Sequence, residues 1–124
     1  MKITEHEVED IIILRVYGRL GWGNHELWTD RIKEIIGKGF RKAIISTEEL
    51  PYLDSAGLGA LVGSYTMMKK AGGDIIVCGL TQKVRDLLSV TKLITVFRVT
   101  ENEQTAIEMF KTGELGPQTT KKNN

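Results

Sequence analysis

Tyr52-Leu53-Asp54-Ser55-Ala56-Gly57-Leu58-Gly59 joins a strand-like stretch to a helix-like one, and the way this junction is built decides the fold. Pro51 restricts the backbone just ahead of it. Leu58, Leu61, Val62, Tyr65 and Met68 then recur at helical spacing, which predicts a helix from about Ser55 to the Gly72-Gly73 pair. Lys69 and Lys70 fall in its last turn, where positive charge favours the negative end of the helix dipole. Asp54 or Ser55 suits the N-cap, because a side-chain oxygen there accepts from an amide the helix itself leaves unpaired. Gly57 and Gly59 stand where a helix would gain about 0.5–1 kcal/mol from Ala. Two such glycines in the first turn point to close approach of another backbone, a side chain or a partner.

Upstream, Ile11 to Tyr17 carries Ile12, Leu14 and Val16 on one face and Arg15 and Tyr17 on the other, a strand pattern. It is expected to pair with Lys2 to Val8 across a turn at Glu9-Asp10, giving an opening hairpin. Asn24 is placed to cap a helix bearing Trp28, Ile32, Ile35 and Ile36 and ending at Gly37 and Gly39; Lys42 to Ser46 follows as a short strand. Downstream, Asp74 to Cys78 is a core strand, and Thr81 caps a helix with Val84, Leu87 and Leu88. Thr95 to Val99 reads as a further strand, and Thr100 with Glu103 fits a capping box ahead of Ala106, Ile107 and Phe110. Strands that alternate with helices after a hairpin predict an α/β domain with a mixed sheet and about four α-helices. Residues 1–112 are expected to form this single domain, and the Gly-, Thr-, Lys- and Asn-rich stretch 113–124 a disordered tail.

Composition agrees with one soluble domain. The 124 residues are 41% hydrophobic and 27% charged, and 17 basic against 16 acidic side chains leave a formal net charge of +1. The signs are interspersed, so nothing selects for direct contact with nucleic acid or an anionic membrane surface. No secretory leader is recognisable, and no apolar run approaches the roughly 20 residues of a membrane helix, which makes the cytoplasm the expected compartment. Cys78 is alone and lies in the apolar run Ile75-Ile76-Val77-Cys78; packing is its expected role.

Chemistry concentrates at Ser55. Its hydroxyl is expected at a helix start, where free amides and the positive end of the dipole converge. A phosphate there would meet those amides, yet would add about −1.5 to −2 charges beside Asp54, a large electrostatic change at one spot. Competing chemistries fit less well. Gly57, Gly59 and Gly63 are spaced one residue away from the dinucleotide fingerprint and follow no apolar strand directly. Ser55 lacks the preceding glycine of a nucleophile elbow, and no His is placed to serve it. His6 and His25 have no second ligand at metal spacing. No catalytic residue, metal or cofactor is expected, although the amides and glycines leave small-ligand binding beside the helix as a remote option. Trp28 belongs to the apolar helix face, whereas Trp22, in a glycine-flanked loop, is either a binding anchor or packed beneath the loop.

Asp54-Ser55-Ala56-Gly57-Leu58-Gly59 resembles the signature of STAS domains of the bacterial anti-sigma factor antagonist family, in which Asp-Ser-Ser/Thr-Gly-Leu-Gly opens a helix. The resemblance runs from the hairpin through Phe110, taking in Gly18, the Glu-containing loop ending in Leu50, Lys69-Lys70-Ala71-Gly72-Gly73, Val84-Arg85-Asp86-Leu87-Leu88 and Thr91-Lys92-Leu93. It implies a single STAS-type domain that is not an enzyme. It implies that Ser55 is phosphorylated by an anti-sigma factor serine kinase, that the bare protein binds this kinase and frees a sigma factor, and that phosphorylation ends binding. Transcription would thereby be controlled indirectly. Asp54, Ala56, Gly57, Leu58 and Gly59, with the loop residues Gly21, Trp22 and Asn24, are the expected partner-binding set. In two respects the chain departs from the family. Relatives commonly carry Gly-Glu-Leu-Asp or Gly-Asp-Ile-Asp after the second strand, and here Gly18-Arg19-Leu20-Gly21 replaces both acids, with Trp22 and His25 in the loop that follows. Ala56 stands where many relatives have Ser or Thr. The lost acids imply a different partner surface and keep an alternative open: an unphosphorylated STAS binding or scaffold module in another bacterial signalling complex.

Overall fold

The computed structural model describes residues 1–113. Its elements run in the order β1 (Lys2–Val8), β2 (Ile11–Tyr17), β3 (Arg19–Leu20), α1 (His25–Gly37), β4 (Lys42–Ser46), β5 (Tyr52–Leu53), α2 (Ser55–Lys70), β6 (Asp74–Cys78), α3 (Gln82–Val90), a 3-10 turn at Leu93–Thr95, β7 (Arg98–Thr100) and α4 (Glu103–Thr112). The expected tail at 113–124 lies outside the described residues from 114 onward.

The α/β expectation holds. Five strands form one mixed sheet in the order β1-β2-β4-β6-β7, antiparallel only between β1 and β2. Parallel strands need crossovers; the helices that supply them, α1, α2 and α3, cover one face, and α4, which follows the last strand, covers the other. Along β2 the side chains divide by parity: Ile12, Leu14 and Val16 pack with Trp28, Ile32, Leu61, Met68, Val84 and Phe97, while Ile11 and Ile13 pack with Ala106 and Phe110 of α4. The strand expected to be buried on one side is thus buried on both, and the second cover is a single helix.

Two polar ties fix these layers. On one face, the fully buried Trp28 of α1 donates its indole N–H to Ser64 Oγ of α2 at 2.7 Å, and that hydroxyl donates in turn to Ala60 O at 2.8 Å. On the other, Arg15 of β2 forms a two-pronged pair with Glu103 of α4, both N–H···O distances being 2.8 Å. This pair explains a correction. The expected capping box of Thr100 and Glu103 does not form, because Glu103 faces Arg15; Asn102 caps α4 instead, accepting from Thr105 N at 2.9 Å. A fork-on-carboxylate pair is worth more than the back-bond of a capping box.

A second correction concerns Thr95 to Val99. Leu93–Thr95 is a 3-10 turn preceded by Lys92 at φ +63°, and the strand begins at Arg98. The β-branched run suggested an earlier start, but the turn carries Phe97 into the core, where it meets the Tyr65 ring edge-on at 5.8 Å. Packing overrides propensity here. Cys78 is buried, and that burial pushes its thiol up to about 11. Among the described residues no helix is long and apolar enough to cross a membrane.

Replacing Ser64 by Ala leaves the Trp28 indole N–H buried without its acceptor, a loss expected to cost about 1–3 kcal/mol. Urea unfolding of Ser64→Ala beside Thr66→Ala, an exposed position on the same helix, checks it: the first midpoint should fall, and the second should stay within about 0.5 kcal/mol of the parent.

Candidate functional site

Two short strands that the sequence pattern did not reveal build the site. β3 pairs with β5 in parallel, Arg19 opposite Tyr52 and Leu20 opposite Leu53, which lays the chain after β2 against the head of α2. Two residues carry too little alternation to register as a strand.

Asp54 is the N-cap of α2, with extended backbone and Oδ1 accepting from Gly57 N at 2.9 Å. Its other oxygen, Oδ2, accepts from Trp22 N at 2.9 Å and lies 3.9 Å from Arg19 Nη1. One carboxylate therefore ties the start of the helix to the loop before α1. The Trp22 amide first, then those of Gly57 and Ala56, with a smaller pull from Arg19, hold the Asp54 carboxyl below its ordinary value, against the opposing effect of desolvation.

The closeness of these parts accounts for two glycines. A Cβ on Gly21 would lie 2.3 Å from both carboxylate oxygens of Asp54, and one on Gly57 would lie 2.2 Å from Leu20 O. Gly59 differs: no atom comes within 4 Å of its Cβ position, so only one of the two helix glycines answers to a close approach within the chain. Gly21, read from the sequence as the loss of an acid, is here the space into which Asp54 reaches.

Asn24 does not cap α1 with its side chain. Its Oδ1 accepts from Gly21 N at 2.9 Å and its Nδ2 donates to Arg19 O at 2.8 Å, so it braces the loop. The loop is tight enough for that side chain to reach two of its own backbone groups, which compete with the helix amides. His25 Nδ1 lies 3.2 Å from Gly21 O, and the ring stacks on Trp22 with centroids 5.9 Å apart. Trp22 is 75% exposed, which decides between its two expected placements in favour of solvent.

Ser55 is exposed at the first position of α2. Gly59 is also exposed; Asp54, Ala56 and Asn24 are half-buried; Gly21, Gly57 and Leu58 are buried. The expected residues thus assemble in one place, with the buried members shaping the surface that the exposed ones present. Arg19 and Tyr52 join them, the guanidinium 5.9 Å from the Tyr52 ring centroid and its Nη2 donating to Trp22 O at 3.2 Å. The sequence reading weighed Arg19 only as a missing acid, and its place opposite Tyr52 follows from a strand pair too short to read.

Comparison with known proteins identifies the domain and its fold. Residues 2–106 match the STAS domain model. The anti-sigma F factor antagonist of Paenibacillus polymyxa is 26% identical over 108 residues, which is 86% of this chain and 92% of that protein. Among solved structures, TM1081 of Thermotoga maritima superposes with a TM-score of 0.83 at 24% identity, covering 88% of this chain and 94% of that one. SpoIIAA matches at TM-score 0.71 and 18% identity in its unphosphorylated form, covering 89% and 98% of the two chains. Its phosphorylated form matches at 0.69 and 20%, covering 88% and 99%.

Acid should loosen this site in a defined direction. Because the Asp54 carboxyl titrates lower in the folded chain than its ordinary 3.8, its contribution to stability is complete above that value and is lost as pH falls through the folded value. Asp54→Asn is therefore expected to lower stability at neutral pH and to flatten the fall below about pH 4, read by thermal unfolding across that range. Gly21→Ala pushes a methyl into the space of the carboxylate and should cost about 1–3 kcal/mol with the same flattening. An acid limb as steep as the parent's in both variants would contradict the bridge.

Proposed function

The chain belongs to the STAS domain family, and on that footing we propose that it is an anti-sigma factor antagonist: a regulator, not itself an enzyme, that docks on an anti-sigma factor serine kinase while Ser55 is bare and is released when that kinase phosphorylates it. The observation that carries this reading is the exposure of Ser55 at the first turn of α2, beside a carboxylate already bound to the backbone. In the transfer, Ser55 Oγ attacks the γ-phosphorus of ATP held by the kinase and gives up its proton to a base there. The bond from that phosphorus to the bridging oxygen breaks, and ADP leaves with the electron pair. The product places about −1.5 to −2 charges next to Asp54, and a partner surface fitted to the bare hydroxyl then meets repulsion and unpaired desolvation. That a relative, SpoIIAA, is known in both unphosphorylated and phosphorylated forms supports a switch of this kind.

Partner contact is assigned to the face made by Ser55, Gly59 and Trp22, with Asp54, Ala56 and Asn24 at its edge and Gly21, Gly57 and Leu58 beneath. Trp22, exposed and backed by the His25 ring, is the anchor of that face. One observation favours the second reading, an unphosphorylated binding or scaffold module: Arg19 and Gly21 occupy the two positions where relatives commonly carry acids.

Incubation with ATP and the anti-sigma-type kinases of the same genome, followed by mass spectrometry, is expected to find one phosphate on Ser55 and none on Ser55→Ala. By calorimetry, Ser55→Ala should bind the cognate kinase like the parent, Ser55→Asp at least about 10-fold more weakly, and Trp22→Ala by a similar factor. Equal binding by the parent, Ser55→Ala and Ser55→Asp, with no phosphate transferred, would refute the switch in favour of the scaffold module.

A further inference from the structure

Asp54 has already taken donors at the head of α2 on which a phosphate would otherwise draw. Gly57 N donates to one of its oxygens and Trp22 N to the other, each at 2.9 Å. A phosphate added to the next residue would share the remaining first-turn amides with this carboxylate and gain from a nearby positive charge. Arg19 reaches the residue before Ser55: its Nη1 is 3.9 Å from Asp54 Oδ2, and the Cα of Ser55 is only about 3.8 Å from that of Asp54 along the chain.

Each present contact of Arg19 is weak. The ion pair is at the outer limit of such pairs, the hydrogen bond to Trp22 O is single and 3.2 Å long, the Tyr52 ring centroid is 5.9 Å away, near the limit of a cation–π contact, and the side chain is 53% exposed. A phosphoserine would offer the guanidinium two acceptor oxygens in the fork geometry it prefers, from a group of higher charge than Asp54. The exchange has a structural consequence, because the bond given up is the one by which Arg19 holds the Trp22 carbonyl.

We propose that Arg19 is the internal phosphate clamp of this domain: on phosphorylation of Ser55 its guanidinium leaves the Trp22 carbonyl for the phosphate, which releases one side of Trp22 while Asp54 and Asn24 still hold the loop backbone. The modification then changes the partner face twice, by adding charge at Ser55 and by loosening the carbonyl side of the aromatic anchor next to it. Arg19, counted from the sequence as a departure that weakens the case for phosphorylation, becomes the residue that specifies how this chain responds to it. This rests on Ser55 being the phosphate acceptor, so the test installs the phosphate without any kinase.

Phosphoserine is incorporated at position 55 of the full chain during translation, in the parent and in Arg19→Gln and Arg19→Lys backgrounds. Phosphorus NMR titration is expected to give a second phosphate pKa about 0.2–0.7 pH units lower in the parent than in Arg19→Gln, the range of an exposed ion pair, with Arg19→Lys between them. In the parent, phosphorylation should shift the indole N–H resonance of Trp22 while that of Trp28, buried and bonded to Ser64, stays in place; in Arg19→Gln the Trp22 shift should be largely lost. Ser55→Glu, with and without Arg19→Gln, repeats the Trp22 comparison with a charge that needs no incorporation chemistry. The same phosphate titration in the parent and Arg19→Gln, or equal Trp22 shifts in both, would overturn the clamp. Failure of every candidate kinase to modify Ser55 would instead overturn the regulatory reading on which the clamp's role rests, an outcome kept separate from the Arg19–phosphate contact that the installed phosphate tests.

Discussion

The arrangement of the exposed face depends on one carboxylate that serves two backbone segments. Asp54 closes the first turn of α2 through Gly57 N and captures the loop before α1 through Trp22 N. Neither bond is unusual alone: the first is an ordinary N-cap, the second a side chain bound to a loop amide. Their combination on one group means that the helix start and the loop are positioned by the same atoms. It also explains why Gly21 and Gly57 have no side chains, since each Cβ would fall on an atom of the partner segment.

This bridge would have little to hold without a rigid base. α1 and α2 are fixed to one another by the Trp28–Ser64 bond inside the larger core, and β2 is fixed to α4 on the opposite face by Arg15 and Glu103. Both pairs join residues far apart in sequence and are worth most where water is excluded or the geometry is two-pronged. The sheet thereby holds the head of α2 in place, and the candidate face presents the exposed residues Arg19, Trp22, Tyr52, Ser55 and Gly59 from that fixed base. A surface of that kind lets one fold accept different partners by changing loop residues while the buried glycines and the capping acid keep the backbone path.

Much of the architecture was legible before the coordinates. The bounds of β1, β2, β4, β6 and the start of α2 coincide with their expected positions because long hydrophobic periodicity survives in any tertiary setting. Errors fell where the signal is short or two local rules compete. Glu103 had a capping role available and took an ion pair; Asn24 had a cap available and braced its own loop; the strand expected over Thr95 to Val99 begins only at Arg98, after a turn that buries Phe97. Glu103 and Phe97 meet groups that no sequence window brings together, whereas Asn24 bonds residues only three and five positions away, where two local rules compete for one side chain.

By itself the sequence determined the α/β class, the order of the main elements, the helix start at Asp54 and the presence there of a hydroxyl able to carry charge. These follow from local chemistry: side-chain periodicity, capping oxygens and glycine placement act within a few residues. Only the tertiary structure decided that Gly21 makes room for Asp54, that Arg19 lies over Tyr52 and reaches the capping carboxylate, and that Trp22 faces solvent. Those outcomes depend on β3 meeting β5 across more than thirty intervening positions, Arg19 opposite Tyr52, a pairing driven by the packing of the whole domain and written in no stretch of two residues.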